Sequence, residues 1–142
     1  MQHVYNLNHL PLGYRPGSGE KASIPVPDET LARHIRIVFA RAADLRRTLY
    51  DVSVALAGEG FVTRAGKPYS VHFLLKMIRN PFYAGFVRRD GRLVRGAHRA
   101  IIDKPTYFFI RQLYWPEPGF VPAATGFVLW VLWRFTRPRD LA

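Results

Sequence analysis

The sequence predicts a small α+β domain, built from a helical region with a helix-turn-helix-like pair, a short β-hairpin and a final helix. Two observations carry that prediction. Apolar residues recur every three or four positions in separate stretches headed by N-cap residues, the pattern of amphipathic helices. The dipeptide Asp90-Gly91 divides two short strand-like runs, a strong signal for a two-residue hairpin turn. The 142 residues are 49% hydrophobic and 22% charged, enough apolar surface for one packed core of modest size.

Taken in order, residues 10–27 (LPLGYRPGSGEKASIPVP) are rich in Pro, Gly and Ser and read as an extended linker or a loop lying across a surface. Asp28 then caps a first helix whose apolar stripe is Leu31, Ile35, Val38, Phe39 and Ala42, with Arg33, Arg36 and Arg41 toward water. A second helix starts near Thr48, runs through Leu49, Val52, Ala55 and Leu56, and stops at Gly58 and Gly60. The loop 61–70 holds Gly66 and Pro68 and leads to Ser70, which caps a third helix with inner face Val71, Leu74, Leu75 and Ile78. His72, Lys76 and Arg79 occupy its other side, and Asn80-Pro81 ends it, because the residue before proline disfavours helical backbone. Strands follow at 83–89 and 92–95. Asp103 caps a last helix with Pro105 in its first turn and Tyr107, Ile110 and Leu113 or Tyr114 as its buried stripe. This divides the chain into an N-terminal segment and linker (1–27), a domain (28–115) and an apolar, basic tail (116–142).

Charge narrows the function. Twenty-one Lys and Arg stand against ten Asp and Glu, a net charge of +11. Such an excess selects a polyanionic partner, nucleic acid or an acidic membrane surface. Between positions 64 and 99 the bases are Arg64, Lys67, Lys76, Arg79, Arg88, Arg89, Arg92, Arg95 and Arg99, and Asp90 is the one acid. A surface built only for solubility would mix the signs. With no cysteine, disulfides, thiolate metal sites and cysteine nucleophiles are excluded together. The five histidines lack metal-ligand spacing, and no paired carboxylates, phosphate-binding Gly loop or nucleophile–base arrangement appears, so neither metal, cofactor nor catalysis is expected of this chain. No basic start followed by an apolar run marks a secretory signal, and a cytoplasmic location is expected.

The second helix, the loop and the third helix form a helix-turn-helix-like pair followed by a basic hairpin. A helix fits the major groove of duplex DNA, where an imidazole and long cations reach base edges and phosphates. On spacing alone, two amphipathic helices joined by a Gly-containing loop fit plain packing equally well.

Residues 61–85, FVTRAGKPYSVHFLLKMIRNPFYAG, resemble the signature of the recombinase domain of large serine recombinases. The matching residues are Thr63, Gly66, Lys67, Tyr69, Ser70, Ile78, Arg79, Asn80, Pro81, Tyr83 and Gly85. Pro11-Leu12-Gly13-Tyr14, Ile37-Val38-Phe39 and His98-Arg99-Ala100-Ile101-Ile102-Asp103 extend the resemblance, in order, over about residues 10–114. The resemblance implies binding of double-stranded DNA by the third helix and its preceding loop, within a recombinase that works as a dimer or tetramer. The implied contact set is Arg64, Lys67, Tyr69, Ser70, His72, Lys76, Arg79, Asn80, Arg88, Arg89, Arg92, Arg95 and Arg99. Ser70 is read as a helix cap first, and Tyr83 and Gly85 as packing and backbone requirements.

The chain departs from the family in several places. The family's catalytic serine domain would lie before residue 1, and its zinc ribbon needs cysteines that this sequence lacks. Arg46-Arg47 stand where the family commonly has glycine. Phe108 and Phe109 replace residues that are usually polar, predicting exposed apolar surface. A truncated remnant of a recombinase, holding DNA without cutting it, accounts for these departures. The tail holds GFVPAATGFVLWVLW (119–133), apolar but broken by Pro122, Thr125 and glycines, and too short for the roughly twenty residues of a membrane span. It is read as a membrane-surface segment, a helix packing on the domain, or a stretch that mates with a partner. An alternative function is therefore a protein- or membrane-interaction module.

Overall fold

The computed structural model describes residues 5–44 and 46–115, and the tail from 116 lies outside the described residues. Four helices surround one core: α1 (Glu29–Ala43), α2 (Leu49–Gly58), α3 (Val71–Arg79) and α4 (Lys104–Tyr114). Two antiparallel strand pairs flank them, β1 (Tyr14–Arg15) with β2 (Val26–Pro27) and β3 (Phe86–Arg89) with β4 (Arg92–Arg95). The α+β class is as the sequence predicts.

The helix starts follow from local chemistry. Asp28, Thr48, Ser70 and Asp103 each accept a hydrogen bond from a backbone N–H in the first turn, at Thr30, Asp51, Phe73 and Thr106. At α2 the exchange is reciprocal, because the Asp51 carboxylate also accepts from the Thr48 backbone, forming a capping box. Each cap satisfies a donor that the helix itself cannot, which is worth about 1 kcal/mol per site.

The core joins Ala32, Ile35, Val38 and Phe39 of α1 to Leu49, Val52 and Leu56 of α2, Leu74, Met77 and Ile78 of α3, and Tyr107 and Ile110 of α4. In α3 the buried face is turned toward Met77, leaving Val71 and Leu75 half-buried. Phe109 is buried in α4, against the expectation of exposure, while Phe108 stays 41% exposed. Leu113 and Tyr114 are half-buried, and the Tyr114 hydroxyl donates to the Ala42 carbonyl (3.2 Å), fastening the end of α4 to that of α1.

Residues 10–27 take the second of the two readings, a segment laid across the surface of the domain. Leu10 and Leu12 pack against the core and Tyr14 lies within it. The Tyr14 hydroxyl donates to the Arg99 carbonyl (2.7 Å) and the Tyr83 hydroxyl to the Leu12 carbonyl (2.6 Å). Burial pushes both hydroxyls well above the usual phenol range, since the charged form would lose its water.

Further back, Tyr5 is tied to the other end of the domain. Its hydroxyl accepts from the backbone N–H groups of Ala97 (2.7 Å) and His98 (2.9 Å). His98 Nε2 donates to the Phe82 carbonyl (2.7 Å), which leaves Nδ1 to accept from Tyr5 (2.9 Å). The imidazole stacks on Phe82 with centroids 3.8 Å apart. His98 is thereby a structural histidine.

One strand boundary differs from the sequence reading. Residues 81–84 form a 3₁₀ turn rather than the start of a strand, because the Asn80 side chain caps Phe82 N–H (3.0 Å) and Gly85 closes the turn at φ +88°. The strand starts only at Phe86.

Candidate nucleic-acid interface

The loop between α2 and α3 is a miniature hairpin. Val62 bridges Pro68, Thr63 N–H donates to the Lys67 carbonyl (2.8 Å), and Gly66 N–H donates back to the Thr63 carbonyl (2.9 Å). Gly66 takes φ +75°, the left-handed conformation that lets a tight turn close. Arg64 and Lys67 stand exposed on this tip.

Its base is anchored by aromatic packing. Tyr69 is half-buried between Phe61 (centroids 4.6 Å) and Phe73 (4.8 Å), and the Ser53 hydroxyl donates to its carbonyl. Burial raises the Tyr69 hydroxyl above its ordinary pKa. The Ser70 hydroxyl accepts from Phe73 N–H (3.1 Å), so both residues position α3 through bonds within the domain.

On α3 itself the division of faces is clean. Leu74, Met77 and Ile78 are buried, and His72, Lys76 and Arg79 are exposed at spacings of four and three, one row along the helix. Asn80 is half-buried and spends its side chain on the cap described above.

The hairpin divides its arginines. Its register pairs Phe86 with Arg95, Val87 with Val94, Arg88 with Leu93 and Arg89 with Arg92. Alternation therefore places Arg88 and Arg95 on one face and Arg89 and Arg92 on the other. Asp90 and Gly91 both have positive φ (51° and 75°), the type I′ geometry expected of Asp-Gly. Two like charges directly opposed, as at Arg89 and Arg92, are unfavourable in an isolated sheet. A bound anion between them would relieve that repulsion. Arg99 lies exposed on the connection to α4.

The ends of α3, β3 and α4 converge on Tyr107. Its hydroxyl donates to the Arg79 carbonyl (3.1 Å). Burial raises its pKa, while the Arg111, Arg88 and Arg79 guanidinium groups act in the opposite sense. Arg79 and Arg88 thus act on one hydroxyl together with Arg111, which the sequence reading passed over. The available signal was its position one helical turn after Tyr107.

Elsewhere, a groove of about 760 Å³ opens between α1 and α4, lined by Phe39, Ala40, Ile102, Pro105 and Phe109 among others. Arg36 at its edge is engaged, donating from Nε to the Ile101 carbonyl (3.2 Å). His34 is buried against Phe61, with ring centroids 5.3 Å apart. Among the described residues no cluster of His, Asp or Glu is arranged to hold a metal ion, and no helix is long and apolar enough to cross a membrane.

The helix-turn-helix-like pair, the cationic loop tip and the basic hairpin define a small, cationic α+β domain. The model of the Recombinase family matches residues 29–113, more than half of the chain, and the chain belongs to that family. No curated protein matches it significantly. Several solved chains share its fold, among them the following two. One is described as "Sequence Requirements of the Listeria innocua prophage attP site", with TM-score 0.56 and 17% identity, covering 72% of this chain and 40% of that one. The other is described as "Crystal Structure of a LSR-DNA Complex", with TM-score 0.56 and 18% identity, covering 72% of this chain and 30% of that one. The chain therefore spans less than half the length of either.

Proposed function

We propose that this chain binds duplex DNA with sequence preference, as the DNA-gripping domain of a serine site-specific recombinase. The observation that carries this reading is the exposed row His72, Lys76 and Arg79 on a capped helix, preceded by the cationic tip Arg64–Lys67, in a member of the Recombinase family. In this reading α3 enters the major groove. Its side chains address base edges, while Arg64, Lys67 and the hairpin arginines Arg88, Arg89, Arg92 and Arg95 hold phosphates, with Arg99 beside them. Tyr69, Ser70 and Asn80 act by fixing α3 and its entry loop. A solved structure of the same fold is described as an LSR–DNA complex, which favours the same partner here.

Strand cutting is assigned to another part of the recombinase. Ser53 is buried and donates to the Tyr69 carbonyl, and Ser70 is a helix cap, so both are occupied structurally. Dimers or tetramers would form in the context of the full recombinase, in the cytoplasm.

Selection from a pool of random duplexes tests this. The expected result is enrichment of one short motif, bound more tightly than scrambled duplex by on the order of 10³-fold or more. Recovery of no motif, with equal affinity for DNA and for any other polyanion, would refute the reading.

A further inference from the structure

One row of α4 holds the exposed Lys104 and Phe108 and the half-buried Arg111, at spacings of four and three, and leads to Trp115, which follows the helix and packs against the core. Each end of this row is organised by a cation over an aromatic ring. The Lys104 ammonium lies 5.2 Å from the centre of the Phe86 ring, and the Arg79 guanidinium 5.3 Å from that of Trp115. Phe86 in turn meets Phe108 edge-on at 5.8 Å, joining β3 to the middle of the row. Phe108 is 41% exposed, so part of its ring is open to a partner.

The position of Lys104 points the same way. It stands in the first turn of α4, which contains no acid, where the positive end of the helix dipole disfavours a cation by about 0.3–1 kcal/mol. The contact with the Phe86 ring offsets that cost and holds the ammonium at the surface.

We infer that this face, with Lys104 and Arg111 as its cations and Phe108 between them, is a second DNA contact that follows the phosphate backbone and packs Phe108 against a sugar. It rests on the proposed DNA-binding reading and extends it beyond α3 and the hairpin. From Lys104 to Arg111 the two cations are ~10 Å apart along the helix at 1.5 Å per residue, enough to reach more than one phosphate of a strand. Because it addresses phosphate and sugar, it adds affinity without sequence preference.

The test compares the full chain with its Lys104→Gln/Arg111→Gln double variant on a 30-base-pair duplex over a salt series. Losing two phosphate contacts should reduce the log–log salt slope by about 2 and leave the preferred sequence unchanged. The Lys104→Arg/Arg111→Lys variant should keep the wild-type slope, which a purely structural role for the arginine would not require. If the glutamine variant unfolds, Phe108→Ser alone should weaken duplex binding without changing the preferred sequence. An unchanged slope in a folded glutamine variant, an altered sequence preference, or binding to anionic vesicles that is lost in that variant while duplex binding is kept would overturn the inference. Absence of duplex binding by the wild type would instead overturn the reading on which it rests.

Discussion

Replacing Gly13 with alanine is expected to destabilise the domain by about 3 kcal/mol or more, one of the largest losses available to a single methyl group here. Gly13 has φ +96°, a conformation that L side chains rarely adopt, and its added Cβ would lie 2.1 Å from Cδ1 of Ile35. Ile35 is fully buried in the middle of α1, so it has little room to withdraw. The Gly13 carbonyl accepts from Asp28 N–H (2.8 Å), and Asp28 caps α1, so displacement of Gly13 also loosens the helix start. Gly66 supplies the control. Its φ is +75° but nothing lies within 4 Å of its Cβ position, so Gly66→Ala should cost only the backbone strain, about 1–2 kcal/mol. Urea unfolding of both variants measures the difference, and equal losses would contradict the packing account.

The second large effect concerns recognition. His72→Ala and Lys76→Ala should each relax the preference at one or two base pairs of the selected motif, by about 1–3 kcal/mol per contacted base. Both side chains are exposed on α3, and neither contributes to the core, so stability should change little. Arg88→Ala and Arg92→Ala should weaken binding to every duplex alike, since in the proposed reading the hairpin arginines address phosphate. Competition binding against motif and scrambled duplexes separates the two behaviours. Equal, sequence-blind losses at all four positions would exclude readout by α3.

Where the signals are local, the sequence was a good guide. The caps Asp28, Thr48, Ser70 and Asp103 act within a single turn, and Asp90-Gly91 encodes its own turn geometry, so each was legible without knowing the tertiary fold. What could not be read depends on contacts distant in sequence. Tyr14 looked like part of a Pro-Gly-Ser-rich linker, yet it lies within the core, meets Phe82 edge-on at 4.8 Å and donates to the Arg99 carbonyl 85 residues away. The 3₁₀ turn at 81–84 hides in a strand-like composition, and only the Asn80 cap and the left-handed Gly85 reveal it. Met77 replaces Leu75 in the buried face of α3 because the facing helices, not hydrophobicity alone, decide which side of an apolar helix turns inward.

The candidate site was legible to the same degree. Its row on α3 follows from helical spacing. The partition of the hairpin arginines required the register, and the grouping of Arg111 with Arg79 and Arg88 required the packing of three elements around Tyr107. The tail at 116–142, read as an interaction or membrane-surface segment, lies outside the described residues.

In the proposed function a cationic surface on this domain grips duplex DNA by displacing counterions. Fluorescence anisotropy of a labelled duplex titrated with the full chain, from low to moderate salt, tests it most directly. Neutralisation of ~6 phosphates predicts a straight log–log plot with slope of about −5. A flat salt response, or no binding even at low salt, would contradict it.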